Sequence, residues 1–282
     1  MQAICDYYHL SRQAHDQMLE RQAKRQQADG LILERVRQIR RQHPRLGARK
    51  LLVKLGPMLA AEGLQIGRDR FLDLLRSNDL LVQKRKAHRR TTFPGRWRTP
   101  NRLPGRTISQ PNQVWVSDLT YLETESQPFV YLFLLMDLYS RFIVGWQVSR
   151  SLAADGALSA LKMALETARP DRHGLIHHSD HGVQYTSSGY LQTLSAAHIL
   201  PSMGEIGNCY DNVFAERVIG TLKDEYRLND RLLDFSHATH LAQEAIRLYN
   251  TDRPHLALGY AYPQDVYLGL FTSVSPLIIP AS

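Results

Sequence analysis

After residue 113 the chain passes through apolar segments whose lengths and order few folds can accommodate. Three of them come first and are separated only by short turns: 114–122, 129–136 and 142–148. Their length and alternation predict three neighbouring strands. The second and third strands should form a hairpin, because only Asp137 to Arg141 lie between them.

Helical and strand patterns alternate over the following residues. Helices are predicted at 153–168 and 187–197, with short strands at 175–178 and from residue 199, and two further helices at about 211–226 and 236–249. Three strands followed by this alternation are typical of an α/β layer fold with helices on both faces of a five-stranded sheet.

Three carboxylates occupy distinctive places in this pattern. Asp118 lies in the first strand, Asp180 directly follows the fourth, and Glu216 stands at the start of a helix, with 35 residues between it and Asp180. Since α/β folds build their sites at strand ends, we expect Asp118 and Asp180 to lie side by side, with Glu216 arriving from a helix across the sheet. Such a set can hold two divalent ions about 3.5–4 Å apart, which stabilise the attacking and leaving oxygens of phosphoryl transfer.

The helix that carries Glu216 has two distinct faces. Lys223 is seven residues after Glu216 and should share its outward face. Phe214, Val218 and Leu222 form a different, apolar stripe that should face the core.

Charge divides the chain into two unequal parts. Residues 1–110 contain 24 Lys and Arg against 9 Asp and Glu, a net charge of +15, whereas residues 111–282 contain 11 against 18, a net charge of −7. A basic region of this strength indicates a polyanionic partner. The alternative is a solvated basic helical surface.

Cysteine content and hydropathy restrict the compartment. Cys5 and Cys209 are the two cysteines, which excludes a disulfide framework and a Cys-rich zinc site and favours a reducing environment. The sequence has no apolar run of about 18 residues and its first residues are polar. We therefore expect a soluble, cytoplasmic protein acting at the nucleoid.

The basic part begins with a predicted helical domain at 1–82. Apolar spacing predicts helices at 31–42, 48–61 and 68–77, joined by tight turns. This pattern favours a helix-turn-helix module whose third helix presents Arg68, Arg70 and Arg76 to DNA. A three-helix domain that binds no DNA would give a similar pattern.

A basic linker at 83–110 follows. Basic side chains interleaved with Phe93 and Trp97 could follow a phosphate backbone and stack on bases. The predicted DNA contacts here are Lys84, Arg85, Lys86, Arg89, Arg90, Arg96 and Arg98. The alternative is a tether with incidental charge. The catalytic domain should then occupy 111–230, with a helix and tail at 231–282 completing it.

Several other polar residues have simpler interpretations than catalysis. Asp137 is typical of a turn, Asp211 of a helix cap, and Glu205 of a solvated loop. The three histidines near Asp180 could suggest a transition-metal site, although backbone bonding or DNA contact is favoured: His177, His178 and His181. A further group could contact DNA or cap the last helix: Tyr249, Arg253 and His255.

Five motifs, in order along the chain, carry a family resemblance. They are WVSDLTY at 115–121, MDLYSRFIVGW at 136–146, HSDHGVQY at 178–185, NCYDNVFAE at 208–216 with TLKDE at 221–225, and YNTDRPH at 249–255. The chain closely resembles the second-frame catalytic protein of insertion sequence family three, among the DDE transposases with a retroviral-integrase-like core. A weaker similarity, HPRLGARK at 43–50, resembles that family's helix-turn-helix segment.

The resemblance implies a ribonuclease-H-like core with a mixed sheet, in which Asp118, Asp180 and Glu216 are catalytic metal ligands and Lys223 contacts DNA. It also implies two Mg²⁺ or Mn²⁺ ions, terminal inverted repeats and target DNA as substrates, a homo-multimer on DNA, and partnership with the upstream-frame protein of the same element. The expected activity is strand cleavage and strand transfer. Two alternatives are a DNA-binding regulator or inhibitor of transposition, and a nuclease of the same core without joining activity.

Overall fold

The computed structural model describes residues 11–83, 99–168, 174–204 and 212–281. The chain divides into two compact units, residues 1–83 and 84–282. In the described part of the chain, no helix combines the length and apolar character needed to cross a bilayer.

The described part of the first unit is formed by three helices: α1 (Arg12–Gln42), α2 (Ala48–Ala61) and α3 (Arg68–Ser77). Their shared core is aliphatic with one aromatic ring, and it includes Ile32, Val36, Leu46, Leu51, Leu55, Phe71 and Leu75. The helix predicted at 31–42 is the end of the longer α1. Residues 16–27 of α1 are exposed on every side, which fits a segment rich in Gln, Arg and Lys, all good helix formers without an apolar stripe.

The second unit contains the remaining elements. In chain order they are β1 (Thr107–Ile108), β2 (Val114–Glu123), β3 (Phe129–Asp137), β4 (Ile143–Ser149), α4 (Ala154–Thr167), β5 (Ile176–Ser179), α5 (Ser188–Ala196), β6 (Leu200–Met203), α6 (Val213–Glu225), α7 (Phe235–Thr251), a 3₁₀ turn (Leu256–Leu258), α8 (Pro263–Tyr267) and β7 (Leu277–Ile278).

The main sheet has the strand order β4-β3-β2-β5-β6. The β2–β3 and β3–β4 pairs are antiparallel, whereas β2–β5 and β5–β6 are parallel. The predicted mixed five-stranded α/β layer is therefore confirmed. The small antiparallel pair of β1 and β7 was not predicted, because strands of two residues carry no periodicity.

Both faces of the sheet are covered, and β3 shows this directly. Leu132, Leu134 and Met136 face the core that includes residues of α6 and α7, while Phe133 and Leu135 face the core that includes residues of α4 and α5. Burial on alternate sides explains why β3 reads as a nearly continuous apolar run. The sheet that carries Asp118, on the neighbouring strand β2, is therefore packed against helices on both faces.

Candidate active site

Asp118 and Asp180 lie on adjacent parallel strands. The β2–β5 ladder pairs Val116 with His178. The ladder ends at this pair; Asp118 lies two residues further along β2, and Asp180 lies two residues after His178, directly after the end of β5. Side chains at equivalent positions of neighbouring strands point to the same face. The two carboxylates are therefore neighbours, close enough for the Asp180 charge to raise the pKa of Asp118. Asp118 lies in the middle of β2, however, and not at a strand end as predicted.

These carboxylates interact unfavourably while they are ionised. Burial raises the pKa of Asp118 well above its usual value, and the charges of Asp180 and Glu216 raise this pKa further. A hydrogen bond of 2.8 Å from Leu119 N–H acts in the opposite direction. Burial also raises the pKa of Asp180, against a hydrogen bond from Gly182 N–H at 3.0 Å. A site with this electrostatic character favours a proton or a cation.

Glu216 is carried by the first turn of α6, where its side chain is exposed. The helix begins at Asn212, whose Nδ2 donates a hydrogen bond of 3.1 Å to the carbonyl of Ser117. Glu216 N–H in turn donates to the carbonyl of Asn212 at 3.1 Å. Because Ser117 immediately precedes Asp118, one buried amide fixes the start of the helix beside the strand that carries Asp118.

The buried face of α6 differs in part from the predicted stripe. Val218 and Leu222 are buried as expected, together with Ala215 and Ile219. Phe214 is only partly buried and lies under the guanidinium of Arg141, whose Cζ is 4.8 Å from the ring centroid. The N-cap position is Asn212, one residue after Asp211; the Asp211 and Glu205 interpretations fall outside the described residues.

The donor chemistry of the three carboxylates suits a hard divalent cation, since Mg²⁺ prefers carboxylate oxygens. In the described ranges, however, no three His, Cys, Asp or Glu side chains are already arranged to hold a metal ion. Glu216 is near enough to raise the pKa of Asp118, but the three carboxylates do not form a complete ligand set. Mutual repulsion of like charges gives a physical reason for this spacing.

Lys223 is half-buried near the end of α6. Burial lowers the pKa of its ammonium, and the negative charge of Glu123 at the end of β2 acts in the opposite direction. An open groove runs along the outer face of the same helix, lined by Val213, Glu216, Arg217, Gly220, Thr221, Asp224 and Glu225.

The three histidines near Asp180 are buried and hydrogen-bonded. Burial lowers the pKa of His177 to about 3, so its neutral Nε2 accepts from the Tyr190 hydroxyl at 2.8 Å. His178 Nδ1 is 2.9 Å from Ser202 Oγ, and His181 Nε2 donates to the Gly204 carbonyl at 2.5 Å. The sequence favoured backbone bonding or DNA contact for two of the three; His181 bonds to a backbone carbonyl, whereas His177 and His178 contact side chains.

Asp137 is a buried turn residue, which confirms its sequence interpretation. Its carboxylate accepts hydrogen bonds from the backbone N–H of Asn112 at 2.7 Å and of Ser140 at 2.8 Å, and from the Ser140 hydroxyl at 2.5 Å. Burial raises its pKa despite these bonds. Asp137 therefore ties the β3–β4 turn to the segment before β2.

The arginines predicted to contact DNA differ in their surroundings. Arg68 and Arg76 are exposed on α3 and pair with acidic neighbours of their own helix, Asp69 and Asp73. Arg70 instead pairs with Asp29 at 2.5 Å and so joins α3 to α1. The predicted linker contacts from Lys84 to Arg98 lie outside the described residues.

Sequence reasoning did not assign a role to Arg141 or Asn212, although both lie within quoted motifs. Each acts through a contact with a residue distant along the chain. Arg141 stacks on Phe214, and Asn212 bonds to Ser117. Neither partner could be identified from local spacing.

Comparison with known proteins identifies the family. Residues 108–209 match a family model described as an integrase core domain, and residues 197–263 match a second model of the same description. The chain is 32% identical over 270 residues to the transposase for insertion sequence element IS629 of Shigella sonnei, covering 95% of this chain and 88% of that protein. The chain belongs to the insertion-sequence transposases.

A second relative and a solved structure are also similar to this transposase. It is 39% identical over 117 residues to transposase InsF for insertion sequence IS3A of Escherichia coli (strain K12), covering 42% of this chain and 40% of that one. The HTLV-2 integrase catalytic core domain in complex with magnesium (trimeric form) is similar over 57% of this chain and 99% of that structure, with 16% identity and a TM-score of 0.44. The resemblance inferred from the motifs is confirmed: the transposase has a retroviral-integrase-like core and is a DDE-type polynucleotidyl transferase active in DNA transposition.

Proposed function

We propose that Asp118, Asp180 and Glu216 bind two divalent cations, Mg²⁺ or Mn²⁺, and that the chain cuts DNA at the ends of its insertion sequence and joins those ends to target DNA. The observation that supports this proposal is the parallel pairing of β2 with β5, which ends two residues before Asp118 and Asp180, together with the effect of the Asp180 charge on the pKa of Asp118. The bond from Asn212 to Ser117 supports the role of Glu216, because it holds the Glu216 helix beside the same strand.

The chain's own residues prepare the carboxylates for this role. Leu119 N–H holds Asp118 Oδ1, and Gly182 N–H holds Asp180 Oδ1. Among the described residues, the other oxygen of each carboxylate makes no hydrogen bond, so each side chain is oriented while one oxygen stays available. A bound divalent cation would supply positive charge to activate the nucleophile and to stabilise the leaving oxygen.

The two reactions differ only in the nucleophile. In cleavage, a water oxygen bonds to phosphorus and the P–O3′ bond breaks, which leaves a 3′-hydroxyl and a 5′-phosphate. In strand transfer, that 3′-hydroxyl attacks a phosphodiester of the target, and the target's 3′-oxygen leaves. Neither reaction needs a covalent protein–DNA intermediate.

Basic residues of both units would hold the DNA. Lys223 lies on the helix that carries Glu216, and Arg68 and Arg76 are exposed on α3. Arg70 would contribute only if it exchanged its pairing with Asp29 for a phosphate. Assembly as a homo-multimer on terminal inverted repeats, and cooperation with the upstream-frame protein of the same element, belong to this proposal.

A strand-transfer assay tests the proposal. The purified chain is incubated with Mg²⁺ or Mn²⁺, a target plasmid and a labelled duplex that ends in the element's terminal repeat. Joined products are expected from the wild type and not from Glu216→Ala, which should still bind the duplex. Glu166→Ala is the matched control, because it removes an exposed helical carboxylate from α4.

The other outcomes identify the alternatives. Cleavage without joining from a pre-cut end would indicate a nuclease. Binding without cleavage, by this chain and also by its fusion to the upstream-frame protein, would indicate a DNA-binding regulator. Full activity of Glu216→Ala would remove Glu216 from the catalytic set.

A further inference from the structure

Arg141 is a buried cation without a carboxylate bound to it in the described structure. It lies in the β3–β4 turn with a left-handed backbone (φ 63°), and only 9% of the residue is exposed. The Asp137 carboxylate is nearby but accepts its hydrogen bonds from Asn112 and Ser140. Buried guanidinium groups are normally paired, so this one has capacity for an acceptor from outside the chain.

The guanidinium nitrogens of Arg141 are not among the fully enclosed polar atoms without a hydrogen bond in the described part of the chain, so its donors reach the surface. Its guanidinium stacks on the ring of Phe214, with 4.8 Å between Cζ and the ring centroid. Stacking occupies the flat face of the group and leaves the N–H donors, which point outward in its plane, for a planar or tetrahedral anion. Phe214 belongs to the first turn of α6, so the cation is held against the N-terminal end of that helix.

Within the described residues, no side chain caps the N-terminal end of α6. Asn212 occupies the N-cap position but directs its Nδ2 to Ser117 instead of accepting from the first turn. The start of α7 is different, because the Asp234 carboxylate accepts a hydrogen bond of 2.8 Å from His237 N–H. A helix begins with backbone N–H groups that have no intrahelical partner and carries partial positive charge there.

A second guanidinium lies close to the same place. Arg217 is exposed on α6, three residues after Phe214. The pKa of Arg141 is lowered chiefly by burial, and the positive charge of Arg217 lowers it further, against the opposing charges of Tyr249 and Asp137. Two cations and an uncapped helix start therefore converge on one surface next to Glu216.

We propose that Arg141, Arg217 and the first turn of α6 bind a backbone phosphate of the DNA strand that enters the active site. Phosphate is the ligand of choice, because it accepts bidentate hydrogen bonds from guanidinium groups and binds at helix N-termini. This phosphate site rests on the proposed function and makes it more specific, because it fixes the substrate strand relative to Glu216. Arg217 is the only Lys or Arg of α6 within five residues of Glu216.

The test is the salt dependence of DNA binding in EDTA, where no chemistry can occur. Each phosphate contact contributes about 0.9 to the slope of log K against log salt concentration. Because both arginines would hold the same phosphate, Arg141→Gln and Arg217→Gln should each reduce the slope by part of that amount, and each should weaken binding about 5- to 10-fold at moderate salt. Arg141→Lys should keep the slope and weaken binding less.

Arg150→Gln is the matched control. Arg150 also stacks on a ring, that of Phe235 at 4.1 Å, beside a helix start that already has the Asp234 cap. This variant removes the same charge and the same type of stacking, and it should leave the slope unchanged.

A second measurement locates the phosphate and separates packing from binding. Duplexes with one neutral methylphosphonate at successive positions near the cleavage site are compared for wild type and Arg217→Gln, an exposed substitution that should not perturb folding. Wild type should lose affinity at one position, and the variant should lose that sensitivity.

An unchanged slope and unchanged sensitivity in both glutamine variants would overturn the proposal and leave Arg141 as a packing residue. Loss of strand transfer by the wild type, with these binding results intact, would instead count against the proposed catalytic function.

Discussion

Arg253 donates two parallel hydrogen bonds to Glu225, from Nε to Oε2 at 2.7 Å and from Nη2 to Oε1 at 2.9 Å. The two side chains are 5% and 15% exposed, and the guanidinium also lies 5.4 Å from the ring centroid of Tyr249. The pair joins the last residue of α6 to the residues that follow α7. The sequence left DNA contact and capping of the last helix open for Arg253; the structure instead shows its guanidinium bonded to Glu225 of α6.

Replacing Arg253 should destabilise the catalytic unit more than replacing any exposed arginine. Arg253→Ala removes a buried guanidinium together with both of its hydrogen bonds to Glu225, which should cost about 3–5 kcal/mol in the free energy of unfolding. The measurement is urea denaturation followed by the fluorescence of the native tryptophans. Arg247→Ala is the control: its pair with Glu244 is 52% and 44% exposed, so a change below about 1 kcal/mol is expected. Equal effects of the two variants would contradict a structural role for the Arg253 pair.

Asn212 should control the position of Glu216. Asn212→Ala removes the bond to the Ser117 carbonyl, so the start of α6 loses its attachment beside Asp118. We expect strand transfer to fall about 10- to 100-fold, as for groups that orient metal ligands, and the Mn²⁺ concentration needed for half-maximal thermal stabilisation of the protein to rise by a similar factor.

Asn250→Ala is the matched control for Asn212. Asn250 is also buried, and its side chain bonds both backbone groups of Ile143 at 2.9 and 3.0 Å, on the turn side of the sheet. This variant should lower the melting temperature without changing the Mn²⁺ requirement. If both variants lose stability and keep the same Mn²⁺ requirement, Asn212 is structural only.

The sequence predicts the main sheet well, because the signal for each strand lies within the residues of that strand. Each strand of the main sheet is marked by its own hydropathy, which places Asp118 within β2 and Asp180 directly after β5. The distance between Glu216 and these residues depends instead on a bond between Asn212 and Ser117, which are 95 residues apart. The pairing of Arg253 with Glu225 spans 28 residues. Such contacts join elements whose relative placement leaves no periodic signal, so the triad could be named from the sequence while the groups that position it could not.

Asp118 should destabilise the metal-free protein at neutral pH. Its folded pKa is raised by burial and by the charges of Asp180 and Glu216, whereas an unfolded Asp titrates near pH ~3.9. The folded state therefore holds the proton more tightly. The associated stability is fully present below the unfolded pKa and is lost as pH rises through the folded pKa. In EDTA, Asp118→Asn should melt above wild type at pH 7.5 and close to wild type at pH 4.

Addition of Mn²⁺ should reverse this order at pH 7.5. Wild type should be stabilised by the bound ion, since a ligand of the folded state raises its melting temperature, whereas Asp118→Asn lacks a charged ligand and should respond little. Glu166→Gln, on the exposed face of α4, should follow wild type throughout. A lower melting temperature for Asp118→Asn in EDTA at pH 7.5 would show that the carboxylates do not repel one another in the free protein.

Gly145 on β4 allows α4 to pack directly on the sheet. A Cβ at this position would lie 2.2 Å from the carbonyl oxygen of Ala160 and 2.8 Å from the amide nitrogen of Ala164, both backbone atoms that cannot move independently. Gly145→Ala should therefore cost about 1–3 kcal/mol or more in the free energy of unfolding, as overpacked cores do. Gly189→Ala in α5 is the control: nothing lies within 4 Å of its Cβ position, so a gain of about 0.5–1 kcal/mol is expected from helix propensity. Urea denaturation of both variants distinguishes steric overlap from a general effect of adding a methyl group, and a neutral Gly145→Ala would show that α4 can shift away from β4 without loss of packing.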